Sequence, residues 1–412
     1  MNAPQSIPLA GLRGAQWNES DLPPGLITSV HSLTTVDGAN VNGFLYRRGG
    51  ETAVCCIMHP REILATHYLV PELLKAGAAV WVQASRSAGN DTRLEHELAL
   101  LDVDAGTSFL KERYDQIVLV GNSGGAGLYA YYTEQANLPP EQRETRTPAG
   151  RPVRLAEAPM VRPDIVVMVA PHPGQGILLM NSLDPSIVDE RDPVSIDPVL
   201  FPFSLANGFK PTGASYAPEF VERYRDAQRR RVETIDAKAR EMLRLRMAAR
   251  KGLTDASSDA QKLTAGWQHL FEVARTDADL RNWDLSLDPT DRLVGSLWGT
   301  DPFKTNMNGV GFGRACTPES WLSTWSGLSS RASVLRCAPA IAQPTFVIRY
   351  TADACVFPRD LDAIWKALGT KDKGIAVIRG NHHGQPVLAG EPSGQALAGQ
   401  AIRKWLEDKL VT

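Results

Sequence analysis

The chain has 412 residues, 43% hydrophobic and 22% charged, and its 44 basic and 46 acidic side chains leave a formal net charge of −2. This is the composition of an ordinary folded chain, which excludes a fibrous or disordered protein, and a nearly neutral surface supplies no global field for gathering nucleic acid or anionic lipid. At about 150 residues per domain the length suggests two or three domains, although α/β folds absorb about 250 or more into one.

No apolar run reaches the roughly 18 residues needed to cross a bilayer, so no membrane association is expected. The opening residues MNAPQSIPLAGLRG lack the charged start and apolar stretch of a secretory signal, and a cytoplasmic location is the expectation. Cys55, Cys56, Cys316, Cys337 and Cys355 form no C-x-x-C pair and no metal-ligand spacing, which fits reduced thiols. Without a phosphate-binding P-loop or dinucleotide fingerprint either, no cofactor and no metal are expected.

In chain order, Ile27 to Thr34 and Asn40 to Arg47 read as a hairpin around Asp37-Gly38. Ala53 to Met58 reads as a buried strand, with Cys55 and Cys56 on opposite sides. A helix is predicted from about Glu62 to Lys75, stopped at Gly77, and then a strand over Ala78 to Ala84. The apolar spacing of Leu94, Leu98, Leu101, Ala105 and Leu110 predicts a helix within Thr92 to Arg113. Gln116 to Val120 is a buried strand, and a helix over Gly125 to Gln135 follows almost at once. Asn137 to Pro163 is an irregular excursion before the strand Asp164 to Ala170. The next regular series is Thr345 to Tyr350 (strand), Arg359 to Leu368 (helix), Ile375 to Ile378 (strand) and Ser393 to Leu410 (helix).

This alternation predicts an α/β fold with a mostly parallel sheet flanked by helices. The series is interrupted by residues 177–342, predicted to form a helical cap domain inserted into a catalytic core made of residues 1–176 and 343–412. The longest helix of the insertion spans Pro218 to Lys251, with Pro in its first turn and Gly252 beyond its end. Its Arg229-Arg230-Arg231 run raises nucleic-acid binding as an alternative. A solvated helix face is the better reading in a neutral chain with no recognised binding motif, so no nucleic-acid partner is expected.

Gly121-Asn122-Ser123-Gly124-Gly125 is a G-x-S-x-G pattern set between a buried strand and a helix. A serine on so sharp a turn is presented above the carboxyl edge of the sheet, and Ser123 is the candidate nucleophile. The same letters resemble a trypsin-like motif, but an all-β barrel would not contain the alternating helices. A serine hydroxyl needs a base and an acid to orient it. Asp353, on the loop after the strand Thr345 to Tyr350, is the candidate acid, ahead of Asp360 and Asp362 on the following helix. Either His382 or His383, after the strand Ile375 to Ile378, is the candidate base.

Serine, acid and histidine on loops after successive strands resemble the α/β-hydrolase superfamily over residues 27–176 and 343–410. The family pattern G-x-x-H maps Gly380 onto His383, which the resemblance makes the base, with His382 as the alternative. It also implies two backbone oxyanion donors, Gly124 N–H and an N–H from the loop Met58-His59-Pro60-Arg61-Glu62. Pro60 has no N–H, so Arg61 takes the family's position. His59 is expected to hold this loop, and His172 to line the pocket wall.

The resemblance implies a serine hydrolase acting on a small-molecule substrate, with a carboxylic ester as the foremost class. Amide, lactone and carbon–carbon bond hydrolysis and acyl transfer use the same residues. A catalytically idle binding protein is the reading from a different class. Trp267, Trp283, Trp298, Trp321, Trp325, Phe271 and Phe303 in the insertion are expected chiefly as its own core; those that face the pocket would select a hydrophobic or aromatic ligand. Oligomeric state is not legible.

Overall fold

A computed structural model of the chain describes residues 14–410; the start of the chain, where no leader is expected, is outside these residues. The main sheet has eight strands in the order β1 (Ile27–Thr34), β2 (Asn40–Arg47), β4 (Ala79–Ala84), β3 (Ala53–His59), β5 (Gln116–Asn122), β6 (Ile165–Val169), β9 (Thr345–Tyr350) and β10 (Lys373–Ile378). Both β1–β2 and β2–β4 are antiparallel, and the remaining neighbours run parallel. The sheet is thus mostly parallel, as the alternating pattern requires.

The central strands carry continuous apolar runs because helices cover both faces. All of β3 and β6 is buried, as is β5 from Ile117 onward. Around them pack α1 (Val70–Lys75), α2 (His96–Lys111), α3 (Gly124–Asn137), α10 (Pro358–Ala367) and α11 (Gly394–Glu407). The helix predicted from Glu62 begins only at Val70. Pro71 belongs in a first turn, and residues 62–69 use their backbone differently: Trp17 N–H donates to Thr66 O at 2.7 Å and Tyr68 N–H to Ala15 O at 2.9 Å.

Between β6 and β9 lie α4 (Gln175–Ser182), the 34-residue α5 (Pro218–Lys251), α6 (Asp259–Gly266), α7 (Pro302–Met307), α8 (Pro318–Ser320), a π-helical turn Trp321–Trp325 and α9 (Val334–Cys337), with a two-strand ladder of β7 (Phe271–Glu272) and β8 (Ala315–Cys316). Long irregular stretches join them. Trp283 packs in one small core with Phe203, Phe209 and Tyr224, while Trp321 and Trp325 pack in another with Leu94, Val232 and Ile235. Most of the insertion's aromatic side chains therefore stabilise the insertion itself, whereas Trp267 and Phe303 are exposed. The end of the insertion rejoins the sheet: Ala332, Val334, Cys337 and Ile341 are part of the main core.

A partly buried ion-pair network ties the insertion to the sheet's carboxyl edge. Arg281 pairs with Asp279 at 2.8 Å and with Asp360 at 2.9 Å, the latter on α10. Burial opposes ionisation of Asp279, but Arg225 and Arg281 outweigh it and hold the carboxyl below its usual range. No helix among the described residues is long and apolar enough to cross a membrane.

The second small core supports a stability test. Trp321 is fully buried and its Nε1–H donates to Asp236 Oδ1 at 2.7 Å. Trp321→Ala should lower unfolding stability by about 3–5 kcal/mol, read from urea denaturation.

Candidate active site

The carboxyl ends of β3, β5, β9 and β10 lie on one edge of the sheet because these strands are parallel. Four side chains are gathered there. Ser123 stands between β5 and α3, His59 ends β3, Asp353 lies on the loop after β9, and His382 follows β10.

Ser123 has φ 52° and ψ −118°, a backbone conformation that a side chain rarely adopts. The strain of this turn falls on the serine itself. The flanking glycines provide room: a Cβ on Gly121 would lie 2.6 Å from the Ala126 backbone, and one on Gly125 would lie 2.5 Å from the Met58 carbonyl oxygen. Strand β5, helix α3 and strand β3 can approach this closely only without those carbons. Ser123 N–H is anchored on Val169 O at 2.8 Å, which ties the turn to β6.

This strand order, with a strained serine at the elbow after β5, is decisive. The chain has the α/β-hydrolase fold.

In this fold a hydrogen-bonded array extends from the serine. His382 Nε2 lies 2.9 Å from Ser123 Oγ, and its Nδ1 lies 2.8 Å from Asp353 Oδ2. The other carboxylate oxygen, Oδ1, accepts the N–H groups of Cys355 at 2.7 Å and Val356 at 2.9 Å, so the acid is fixed by its own loop. Asp353 and His382 are both buried.

Two sequence assignments are corrected. The histidine that reaches Ser123 is His382, not His383. Asn381 Oδ1 caps the turn by accepting the N–H groups of His383 at 2.9 Å and Gln385 at 3.0 Å, and on this turn the side chain of His382 reaches both Asp353 and Ser123. The ring of His383 stands beside that of His382, with centroids 5.0 Å apart, and lines the cleft. The second correction concerns Arg61. Its backbone N–H donates to His59 Nδ1 at 3.1 Å, so it is committed within the loop instead of open to a substrate oxygen. Gly124, in contrast, opens α3, where the first N–H groups have no intrahelical acceptor.

His59, expected to hold its loop, does so by accepting from both Arg61 and Glu62, the latter at 3.2 Å. Its burial, followed by the positive charge of Arg61, holds its pKa well below the usual histidine range. His172 is buried and accepts the Gly174 N–H at 3.2 Å, and burial lowers its pKa to about 3. Arg86 braces the neighbouring loop by spanning Asp102 at 2.7 Å and Asp37 at 2.6 Å.

The serine opens into a solvent-open cleft lined by Ala15, Leu64, Leu297, Trp298 and Phe312 with the polar groups of His59, Arg61, His382 and His383. Of the tryptophans singled out in the insertion, Trp298 lines this cleft; Phe312 accompanies it at a ring-centroid distance of 5.2 Å. Arg61 lies over Phe312 and Trp325, with its guanidinium neutralised by Asp91 at 2.6 Å. No group of three or more potential metal-ligating side chains is found among the described residues.

No family model matches the chain, and no curated protein matches it. Similar solved structures include an esterase of Pyrococcus furiosus, 13% identical over 96% of this chain and 95% of that one, with a TM-score of 0.45. An α/β-hydrolase of a Penicillium species is 13% identical over 93% of this chain and 98% of that one, with a TM-score of 0.47. A monoacylglycerol lipase of Paleococcus ferrophilus is 14% identical over 93% of this chain and 99% of that one, with a TM-score of 0.42. The strand order and the elbow of this chain carry the fold assignment.

The close contacts at the elbow make a paired prediction. Gly125→Ala should destabilise the protein by about 1–3 kcal/mol because backbone must move. Gly127→Ala, whose added carbon would sit 3.7 Å from Ala332 O, should be neutral or stabilise by about 0.5–1 kcal/mol through helix propensity. Thermal unfolding of the two variants checks both.

Proposed function

We propose that the protein is a serine hydrolase that cleaves a carboxylic ester of a small to medium hydrophobic or aromatic substrate through an acyl-enzyme. The observation that carries this reading is the continuous array from Ser123 Oγ through His382 to Asp353, with links of 2.9 and 2.8 Å, on a strained elbow. His382 Nε2 takes the hydroxyl proton as Oγ attacks the carbonyl carbon. Asp353 holds the ring through Nδ1 and stabilises the imidazolium that forms. The Gly124 N–H lies beside the developing oxyanion. His382 then returns the proton to the leaving alkoxide and, in the second half, activates water against the acyl-enzyme.

In this reading residues 1–176 and 343–412 make the catalytic unit and residues 177–342 the cap. Leu297, Trp298 and Phe312 come from the cap and supply an apolar wall of the cleft, which favours a hydrophobic or aromatic group beside the scissile bond. An ester ranks ahead of an amide because an alkoxide is the better leaving group, His382 delivering one proton in either case.

Ser123→Ala should lower kcat on aryl and alkyl esters by about four to six orders of magnitude while the protein stays folded. Fluorophosphonate should label the unaltered protein at Ser123 and leave the variant unlabelled. An unaltered protein that is neither labelled nor active would instead favour a binding role. In the same assay His382→Gln should approach the loss seen for Ser123→Ala, and His383→Gln should fall far short of it; the opposite ranking would return the base to His383.

A further inference from the structure

The loop after β3 lacks the backbone donor that its position would ordinarily supply. Pro60 has no N–H, and that of Arg61 is taken by His59 Nδ1 at 3.1 Å. Glu62 N–H is directed to the same nitrogen at 3.2 Å. A nitrogen that accepts from backbone N–H groups carries no proton of its own, so the neutral ring holds its hydrogen on Nε2. Burial keeps the ring neutral, because a charged imidazolium would be desolvated here.

That Nε2 corner faces the serine turn. A Cβ built on Gly124 would lie 2.7 Å from His59 Nε2 and 3.3 Å from its Cε1, and His59, Ser123 and His382 line one cleft. Gly124 therefore leaves open the space into which the imidazole points. We propose that the His59 side chain, through Nε2–H, is the second oxyanion donor and partners the Gly124 N–H. This rests on the serine-hydrolase reading above. When Oγ bonds to the carbonyl carbon and its proton passes to His382, the carbonyl π pair moves to oxygen, which receives both hydrogen bonds. His59 keeps its proton throughout, and collapse of the intermediate returns the pair to the carbonyl as the alkoxide departs with the proton from His382.

Gln175 is the rival donor. Its Nε2 lies 3.4 Å from the same point, farther than the 2.7 Å of His59 Nε2. The imidazole is both nearer and fixed by its loop.

Two replacements separate the donor from the loop support. His59→Asn offers an oxygen in place of Nδ1 to accept the Arg61 and Glu62 N–H groups, but has no donor at the Nε2 position; His59→Gln can place an amide N–H there. The Asn variant should lose about 10²–10³ in kcat with KM little changed, and the Gln variant should recover about tenfold or more of that loss. Circular dichroism and thermal unfolding would confirm that both variants fold. Nitrogen-15 shifts of the unaltered protein should show His59 protonated on Nε2 near neutral pH, and a Nδ1–H tautomer would overturn the proposal whatever the activity.

Unaltered kcat in His59→Asn, in an enzyme whose wild-type form is active and labelled at Ser123, would also overturn it while leaving the serine-hydrolase reading intact. So would a full loss in Gln175→Leu with His59→Asn active. A wild-type protein that neither turns over esters nor reacts with fluorophosphonate would fail both readings together.

Discussion

A serine held at φ 52° after a fully parallel, buried strand is the constraint around which the rest of the site is arranged. A backbone so placed costs of the order of 1–3 kcal/mol and persists only where its surroundings over-determine it. Here three elements do so. β6 accepts the serine's N–H, α3 starts against the turn, and β3 lies so close to α3 that Gly125 meets the Met58 carbonyl oxygen. A hydroxyl carried on this turn stands clear of the sheet, where loops from β9 and β10 can bring an acid and a base to it.

The acid and base are themselves held by backbone. Asp353 is gripped by two N–H groups of its own loop, and His382 stands on a turn capped by Asn381. Fixation of this kind leaves the buried carboxylate and imidazole little side-chain freedom to lose on aligning. The insertion reinforces the arrangement: Arg281 pairs with Asp360 and lies 3.8 Å above the Phe357 ring, next to the loop that bears Asp353. The same stretch of chain that shapes the cleft also braces the acid.

Much of this was legible in the residue pattern. The hairpin strands Ile27–Thr34 and Asn40–Arg47, the long helix Pro218–Lys251 and the strand Thr345–Tyr350 have the bounds read from their periodicity and their turn and cap residues. Local rules suffice where a segment's own apolar spacing decides its conformation. They failed over residues 62–69, where pairing with residues 15–17 took up backbone groups that a helix would have used. They were also silent on Phe312, since nothing in the pattern around it distinguishes a cleft wall from a core.

By itself the sequence determined the alternating α/β core, the serine on its elbow, the aspartate after β9 and the choice between two adjacent histidines. Those follow from residue type and from the placement of strand ends, both local properties. The tertiary structure decided which histidine reaches the serine, because only when the loops after β5, β9 and β10 meet does His382 bond to both Ser123 and Asp353. It likewise decided that His59, at the end of β3, turns its Nε2 toward Gly124 on the turn after β5. Contacts between side chains on different loops are settled only when separate strands meet, and no spacing along one chain records where a ring nitrogen will point.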